Sequence, residues 1–421
     1  MTGAIYGRMR PFTKIITLDE ARTLTAHAAA PITRTERVAL IDAAGRVLAE
    51  EVHAAVDVPA FDRAMMDGYA VSTADTASAT TGAPVSLRLV DTLFAGTPAA
   101  RALQGGECME IATGAPIPTG ADAVVMVEDT ERRGNEVQIR TEVRERQHIA
   151  PHGSDIRSGD HVLHAGEMLS PARVGALAAL GYSDVPVYTQ PRVVIFSTGN
   201  EVVEPGATST AASVYDVNRF TLAALVSAHG GQPRARPPVR DDLDALHRAF
   251  DEASDADVIL CSGGSSVGAR DLLLDVLRER GEVLFHGIAV KPGKPTAFAR
   301  VGETLVLGMP GNPTSCLTNG YVLLVPLLRV MARLPPWTPP SVRAHLGTGV
   351  SSPRDRHQFY PVRLDGDVAV PVFKGSGDIT SLSQADGYFE IPAGAGSMDA
   401  GTEVVVRLFN EGPEEPVKNS K

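Results

Sequence analysis

Four short stretches in the second half of the chain carry more glycine, proline, hydroxyl and charge than a connector needs. Ser197-Thr198-Gly199-Asn200-Glu201 follows the apolar run VVIF, so Glu201 is a carboxylate just past a buried strand, either a solvated loop acid or a ligand. Ser262 to Asp271 (SGGSSVGARD) follows DVILC. Its glycines, Gly263, Gly264 and Gly268, let backbone N–H groups turn inward on an anion, and the next helix adds its positive end. The spacing matches neither a Walker A loop nor a dinucleotide fingerprint. Asp271 suits a helix cap and equally suits Mg²⁺ held against a phosphate. Lys291-Pro292-Gly293-Lys294-Pro295 sets two ammonium groups three residues apart in a frame stiffened by prolines. Met309-Pro310-Gly311-Asn312-Pro313-Thr314-Ser315 joins a buried strand to a long helix: Asn312 offers donors and acceptors, and Pro313 suits a first helical position. Amides and lysines hold anions; Glu201, Asp241, Asp242 and Asp271 can hold a divalent metal. That pairing suits Mg²⁺-assisted phosphoester or phosphoanhydride chemistry. No Ser-His-Asp or Cys-His nucleophile is suggested, and none of the eleven histidines lies in these loops.

The elements that must present these loops follow from pattern. Residues 1–14 are a basic arm. From Leu18 to Ala49 the pattern reads as helical, broken near Pro31. VSLRLVDTLF, CMEIAT, AVVMVED and EVQIR are β-type runs about ten residues apart. A helix over 171–180 has Ser170 as N-cap, Pro171 first and Gly181 as stop. From 191, apolar runs alternate with helical patterns: strands in RVVIFSTG, RARPPVR, DVILCSGG and TLVLGMPG, and helices in YDVNRFTLAALVSAHGG, DDLDALHRAFDEASD (capped by Asp241 or Asp242), DLLLDVLRERG and TSCLTNGYVLLVPLLRVMARL. This alternation predicts a doubly wound parallel sheet. LPPWTPPS is a linker to a last β-type module, and the tail EGPEEPVKNSK reads as disordered.

Composition narrows the classes. Lys plus Arg is 39 against 50 for Asp plus Glu, a net charge of −11, so no overall positive field draws nucleic acid or a membrane surface. Forty glycines and thirty prolines without a period exclude collagen and point to many loops. Cys108, Cys261 and Cys316 lack zinc spacing, cannot make a disulfide scaffold and read as buried thiols. The basic N-terminus has no apolar run behind it, unlike a secretory signal, and Tyr321–Leu328 is too short to span a bilayer. A reduced, cytoplasmic protein is expected.

FDRAMMDGYAV, ATGAPIPTGADAVVM, GSDIRSGD, PRVVIFSTGNEVVEPG, SGGSSVGARD, VKPGKP and MPGNPTS occur in that order. Together they resemble the molybdopterin molybdenumtransferase family (MoeA and the E domain of gephyrin) over about residues 12–408. The resemblance implies an α/β multidomain architecture with a central doubly wound molybdopterin-binding domain at 187–335. Around it would lie an elongated linker domain (15–54 plus 147–186), an inserted β-rich domain (55–146), a C-terminal β-barrel-like domain (342–409) and flexible tails (1–14, 410–421). It implies that adenylylated molybdopterin and molybdate are the substrates, that molybdenum is inserted at the dithiolene, and that AMP leaves in a Mg²⁺-dependent step. The protein would be a homodimer whose site closes across subunits, serving other cofactor-biosynthesis proteins and apo-molybdoenzymes as partners. On this carry-over Asp67 and Thr113 reach the site from the partner chain. Glu201, Asp241 and Asp271 are the working carboxylates at the metal. Ser262, Gly263, Gly264, Ser266 and Gly268 cradle phosphate or pterin, and Lys291 and Lys294 hold the oxyanion. Pro310, Asn312 and Pro313 shape the wall, with Ser376 at the edge of the last module. In two places positive charge found in some relatives is missing, at Gly287 and Pro361; Arg356 and Arg363 are the candidates to restore it. The central domain also resembles the smaller molybdopterin adenylyltransferases, and residues 1–185 and 340–409 decide between the two. A gephyrin-like, non-catalytic scaffold is the third reading.

Overall fold

The computed structural model describes residues 15–263 and 271–409. The expected tails, and Gly264, Ser266 and Gly268, lie outside the described residues. The chain divides into two units, Met1–Glu36 with Tyr188–Lys421, and Arg37–Val187.

In the first unit a six-stranded sheet runs in the order Gln232–Ala235, Arg192–Ser197, Val258–Ser262, Thr304–Met309, Ala297–Val301, Glu282–His286. The first four strands are mutually parallel. Ala297–Val301 runs antiparallel to both neighbours, so the sheet is mixed rather than purely parallel. The alternation rule missed this strand and Glu282–His286 because no helix separates them from Thr304–Met309.

Register explains the two apolar faces. Val193, Val258 and Leu305 are aligned, as are Ile195, Leu260 and Leu307. Both rows are buried on one side with Leu222, Leu225 and Val226 of the Asn218–Ala228 helix and with Leu323, Leu324 and Leu328. The alternate row Val194, Ile259 and Val306 faces the other side, against Leu246 and Phe250 of Leu243–Asp251 and Leu273, Val276 and Leu277 of Leu272–Arg280. Strand side chains alternate faces, so one apolar run serves both layers.

Asp242, not Asp241, caps Leu243–Asp251, accepting from the Ala245 N–H at 2.7 Å. Residues 313–331 form one apolar helical run, interrupted over Gly320–Leu324 by a wider π turn. It is long and apolar enough to cross a membrane, but 72% of it is buried inside the molecule, as a core helix is. The linker is pinned, with Trp337 against Tyr321 and His229. Burial, with the nearby Arg329 charge, pushes His229 down to about 4. The last module is a closed barrel: His357–Asp365, Val368–Pro371, Ser341–Leu346, Glu403–Leu408 and Gly387–Ile391, the last pairing back with the first. Val290–Lys291 adds in parallel to its edge, Lys291 opposite Gln358.

In the second unit a six-stranded sheet runs Ala123–Met126, Gly68–Val71, Glu107–Ile111, Val85–Leu93, Glu136–Ile139, Thr130–Arg133. Tyr69, Val125 and Val137 are buried on one side and Ala70, Met109 and Val124 on the other. Ser170 caps Pro171–Ala179 as read from the sequence, and Gly181 takes a left-handed φ of +84°. The helical reading up to Ala49 holds only for Leu18–Ala28, closed by a Thr17–Glu20 capping box. Beyond Pro31 lie the Thr35–Ala39 strand and a single 3₁₀ turn, Leu40–Asp42. The β-branched residues there serve strand geometry better than helix. All three cysteines are free and buried. Burial raises Cys108 to about 12 and holds Cys261 and Cys316 far above an ordinary thiol, so they are inert at neutral pH.

Candidate functional site

A cleft of about 1130 Å³ opens at the carboxyl ends of the central parallel strands. This is where an open α/β sheet binds ligands, beside the point where strand order reverses. Here the reversal lies between Arg192–Ser197 and Val258–Ser262. Their last residues meet: Ser197 Oγ is 2.8 Å from Ser262 Oγ and donates to Asp216 Oδ1 at 2.7 Å.

Lining the cleft are Glu201, Asp241, Ser262, Gly263, Lys291, Lys294, Pro310, Asn312, Pro313 and Ser376, ten of the residues expected from sequence. Residues up to 175 apart in sequence are therefore brought to one cavity by three strand tips, the lysine loop and the barrel. Asp271 is not among the lining residues. It is buried, its Oδ1 accepts from the Leu274 N–H at 3.0 Å as a helix cap, and its Oδ2 lies 3.2 Å from His286 Nε2. Its charge is still felt in the cleft. Partial burial, the Glu201 charge and the Asp271 charge together push the Asp241 carboxyl above the usual carboxylate range, although Thr198 hydrogen-bonds it. Three acids are thus held close enough to repel one another. A bound divalent cation relieves such repulsion, so the donor set fits Mg²⁺, a hard ion that takes carboxylate oxygens and keeps several waters.

The cationic side is held from two directions. Val290–Lys291 is anchored on the barrel edge. Gly293 sits at φ +108°, and a Cβ there would fall 2.4 Å from Asn319 Nδ2. Asn319, buried on the long helix, donates to Gly293 O at 2.8 Å and to Thr296 Oγ1 at 2.7 Å; Thr296 Oγ1 donates to Gly293 O at 2.8 Å. Replacing Asn319 by Ala should cost ~1–3 kcal/mol, because two buried hydrogen bonds are lost and Gly293 O keeps only its bond from Thr296. Urea unfolding measures that loss, and a raised requirement for oxyanion in the same variant would show that the lysine loop had slackened.

The barrel closes the far wall. Asn312 Nδ2 donates to Ser376 Oγ at 2.9 Å, and the Thr314 N–H donates to Ser376 O at 3.1 Å. Arg356, also from the barrel, lines the cleft and grips Asp355 through Nε at 3.0 Å and Nη2 at 2.6 Å. Arg363 is exposed and is not among the lining residues; Pro361 lines a separate small pocket with Tyr388 and Phe359. Of the two candidate replacement cations, the fold brings Arg356 to the site.

Asp67 and Thr113 sit in the other unit. Antiparallel pairing sets Gly68 opposite Ile111, so the residues just beyond each strand end are neighbours. Thr113 donates through its N–H at 2.7 Å and its hydroxyl at 2.9 Å to Asp67 Oδ1. These bonds hold the exposed Asp67 carboxyl below its usual range.

Sequence reasoning missed Asp216, Asn218 and Arg219. It read YDVNR only as the start of a helix. Asp216 is buried between Ser197 and Arg219, whose Nε is 3.3 Å from Asp216 Oδ2, and Asn218 donates to Gly311 O at 2.8 Å. An Asp, an Asn and an Arg crowded ahead of an apolar helix were the available signal.

A molybdopterin-type α/β domain flanked by two β modules is the class that this fold and site define. Three family models match consecutively: MoeA N-terminal region, domains I and II, over 16–181; probable molybdopterin binding domain over 194–330; and MoeA C-terminal region, domain IV, over 343–409. A molybdopterin molybdenumtransferase 2 of Mycobacterium tuberculosis is 36% identical over 379 residues, covering 88% of this chain and 94% of that one. A molybdopterin molybdenumtransferase of Haemophilus influenzae is 33% identical over 405 residues, 94% of this chain and 99% of that one. A crystal structure of a molybdopterin biosynthesis MoeA protein from Pyrococcus horikoshii superposes with a TM-score of 0.77 at 31% identity, covering 94% of this chain and 100% of that one. The chain belongs to the molybdopterin molybdenumtransferase family.

Proposed function

We propose that this protein inserts molybdenum into adenylylated molybdopterin, in a Mg²⁺-dependent step that releases AMP and yields the molybdenum cofactor. The observation that carries the reading is the meeting in one cleft of Lys291, Lys294 and Arg356 with Glu201 and Asp241. An oxyanion and a nucleotide phosphate both need the first set; a metal that offsets charge on a breaking phosphoanhydride needs the second. A volume of about 1130 Å³ admits a substrate of nucleotide size.

Lys291 and Lys294 orient molybdate. Ser262 and Gly263, at a strand tip, line the wall that faces the phosphate or pterin. Asn312, fixed by Ser376, positions the substrate against the proline-stiffened wall. Glu201 and Asp241 hold Mg²⁺, with Asp271 adding a third negative charge. When bound, the ion supplies charge neutralisation on the phosphoanhydride and so helps AMP to leave. The whole-length match to relatives that carry the name molybdenumtransferase favours this reaction over adenylylation or a scaffold role. The cellular setting that fits is the cytoplasm, where a buried apolar helix and three unoxidised thiols suit a reducing compartment.

The active form is a homodimer in which Asp67 and Thr113 of one chain serve the cleft of the other. Phe61, Met65 and Met66, exposed beside Asp67, are apolar surface that a partner would cover. Purified protein given adenylylated molybdopterin, Mg²⁺ and molybdate should release AMP; a folded protein that releases none rejects the reaction. An Asp67→Ala chain mixed with an Asp271→Ala chain, each inactive alone, should recover part of the activity through heterodimers. No recovery after demonstrated subunit exchange would put both residues in one chain's site.

A further inference from the structure

The histidines are scattered in sequence, yet three of them meet in the second unit, and none of the three is among the residues assigned to the chemistry above. Val52–His53 and His161–Leu163 pair antiparallel, with His161 opposite His53. Directly paired residues share a face, and their rings lie 4.8 Å apart, centre to centre. Glu51 immediately precedes the first strand and His164 immediately follows the second. The His164 ring meets the edge of His161 at 3.9 Å. Both imidazoles converge on one carboxylate oxygen: Glu51 Oε2 is 2.5 Å from His161 Nε2 and 3.4 Å from His164 Nδ1. One ligand atom from each of Glu51, His161 and His164 lies within 4.8 Å of the others, and all three side chains are exposed to solvent.

We propose that Glu51, His161 and His164, with His53 as an adjacent third imidazole, form a binding site for a zinc-like divalent transition metal. Two imidazoles and a carboxylate at mutual contact are the donor set of a tetrahedral zinc site with one position left for a fourth ligand. Nitrogen donors favour Zn²⁺ over Mg²⁺, which asks for six oxygens. The site differs in this respect from the all-carboxylate cleft. It ties two segments 110 residues apart in sequence, so a bound ion acts as a clip across the strand pair. Because such an ion binds the native arrangement, it stabilises the fold in proportion to its occupancy.

The test uses the full-length protein, stripped of metal, with Mg²⁺ in excess to occupy the acidic cleft. Calorimetric titration with Zn²⁺ should saturate at one ion per chain and raise the melting temperature. His161→Ala and His164→Ala should each weaken that binding ~10-fold or more, since even loss of an outer-shell partner costs ~10–100-fold. His345→Ala, an exposed histidine of the barrel, should keep it. Absence of saturable Zn²⁺ binding, or binding equally strong in the His161 and His164 variants, overturns the proposal. The variants alter exposed side chains, and their metal-free melting curves show directly that they fold. AMP release plays no part in this readout, so the site stands or falls separately from the proposed reaction.

Discussion

Replacing Asp241 by Asn, or Glu201 by Gln, should lower kcat for AMP release ~10²–10³-fold while leaving the protein folded. A metal ion supplies several kcal/mol of transition-state charge stabilisation, and each ~1.4 kcal/mol is tenfold in rate. Asp241→Asn should also make the metal-free protein more stable at neutral pH, and the direction follows from its titration. The Asp241 carboxyl is pushed upward by partial burial and by Glu201 and Asp271. A raised acid binds its proton more tightly in the folded state than in the unfolded one. Its contribution is therefore harmless at low pH, turns unfavourable as pH rises through the unfolded-state value, and is fully destabilising above the raised one. The neutral amide removes that penalty. Mg²⁺ should accordingly raise the melting temperature of the native protein more than that of Asp241→Asn. Thermal melts from pH 4 to 8, with and without Mg²⁺, check both statements. A variant with full activity, or one whose melting temperature falls as much as that of a core mutation, would detach Asp241 from the metal. Lost catalysis joined to gained stability is the pattern of a functional charge cluster.

Lys291→Ala should raise the KM for molybdate by ~10–100-fold, because a hydrogen bond to a charged group contributes ~1.5–3 kcal/mol. The effect belongs mainly in KM, since an oxyanion held equally in ground and transition states changes binding more than turnover. Arg356→Ala should act in the same direction and Arg363→Ala should not, because only Arg356 lines the cleft. The contrast tests how this chain offsets Gly287 and Pro361, where some relatives carry cations. Arg356 is already paired with Asp355, which lies within the electrostatic reach of Lys294. Molybdate must compete with that carboxylate, so Asp355→Asn should lower KM. Steady-state AMP release over a range of molybdate concentrations, at fixed ionic strength, separates the four variants. The molecule's net charge of −11 makes the local clamp matter more, because no overall positive field draws anions in.

The loops rich in glycine and proline were legible because their residue types are poor choices for a plain connector. Pro310, Asn312, Lys291 and Glu201 could each be picked out from a few neighbours. Asp216 and Arg219 were not, because a buried ion pair looks in one dimension like a helix start with two charges. Asp271 was readable as a cap or a ligand, and its cap hydrogen bond to Leu274 is a fact of three dimensions. Three of the four parallel strands announced themselves through buried apolar runs; the edge strand Gln232–Ala235 is mostly exposed and lies just ahead of, and only partly within, the RARPPVR stretch read as a strand. The antiparallel Ala297–Val301 strand did not announce itself, since TAFARV carries a weak pattern beside the stronger TLVLG.

By itself the amino-acid sequence determined the periodicities, the cap at Ser170, the acidic balance, the burial of the cysteines and the ordered motifs of one family. These depend on residue type and spacing within about twenty positions, where chain geometry leaves few options. Only the tertiary structure decided which cations face the acids, that Asp242 rather than Asp241 caps its helix, that Ser376 braces Asn312, and that His161 and His164 share the Glu51 carboxylate. Those contacts join residues tens to more than a hundred positions apart, and sequence spacing carries no information about such distances until sheet register and barrel closure set them.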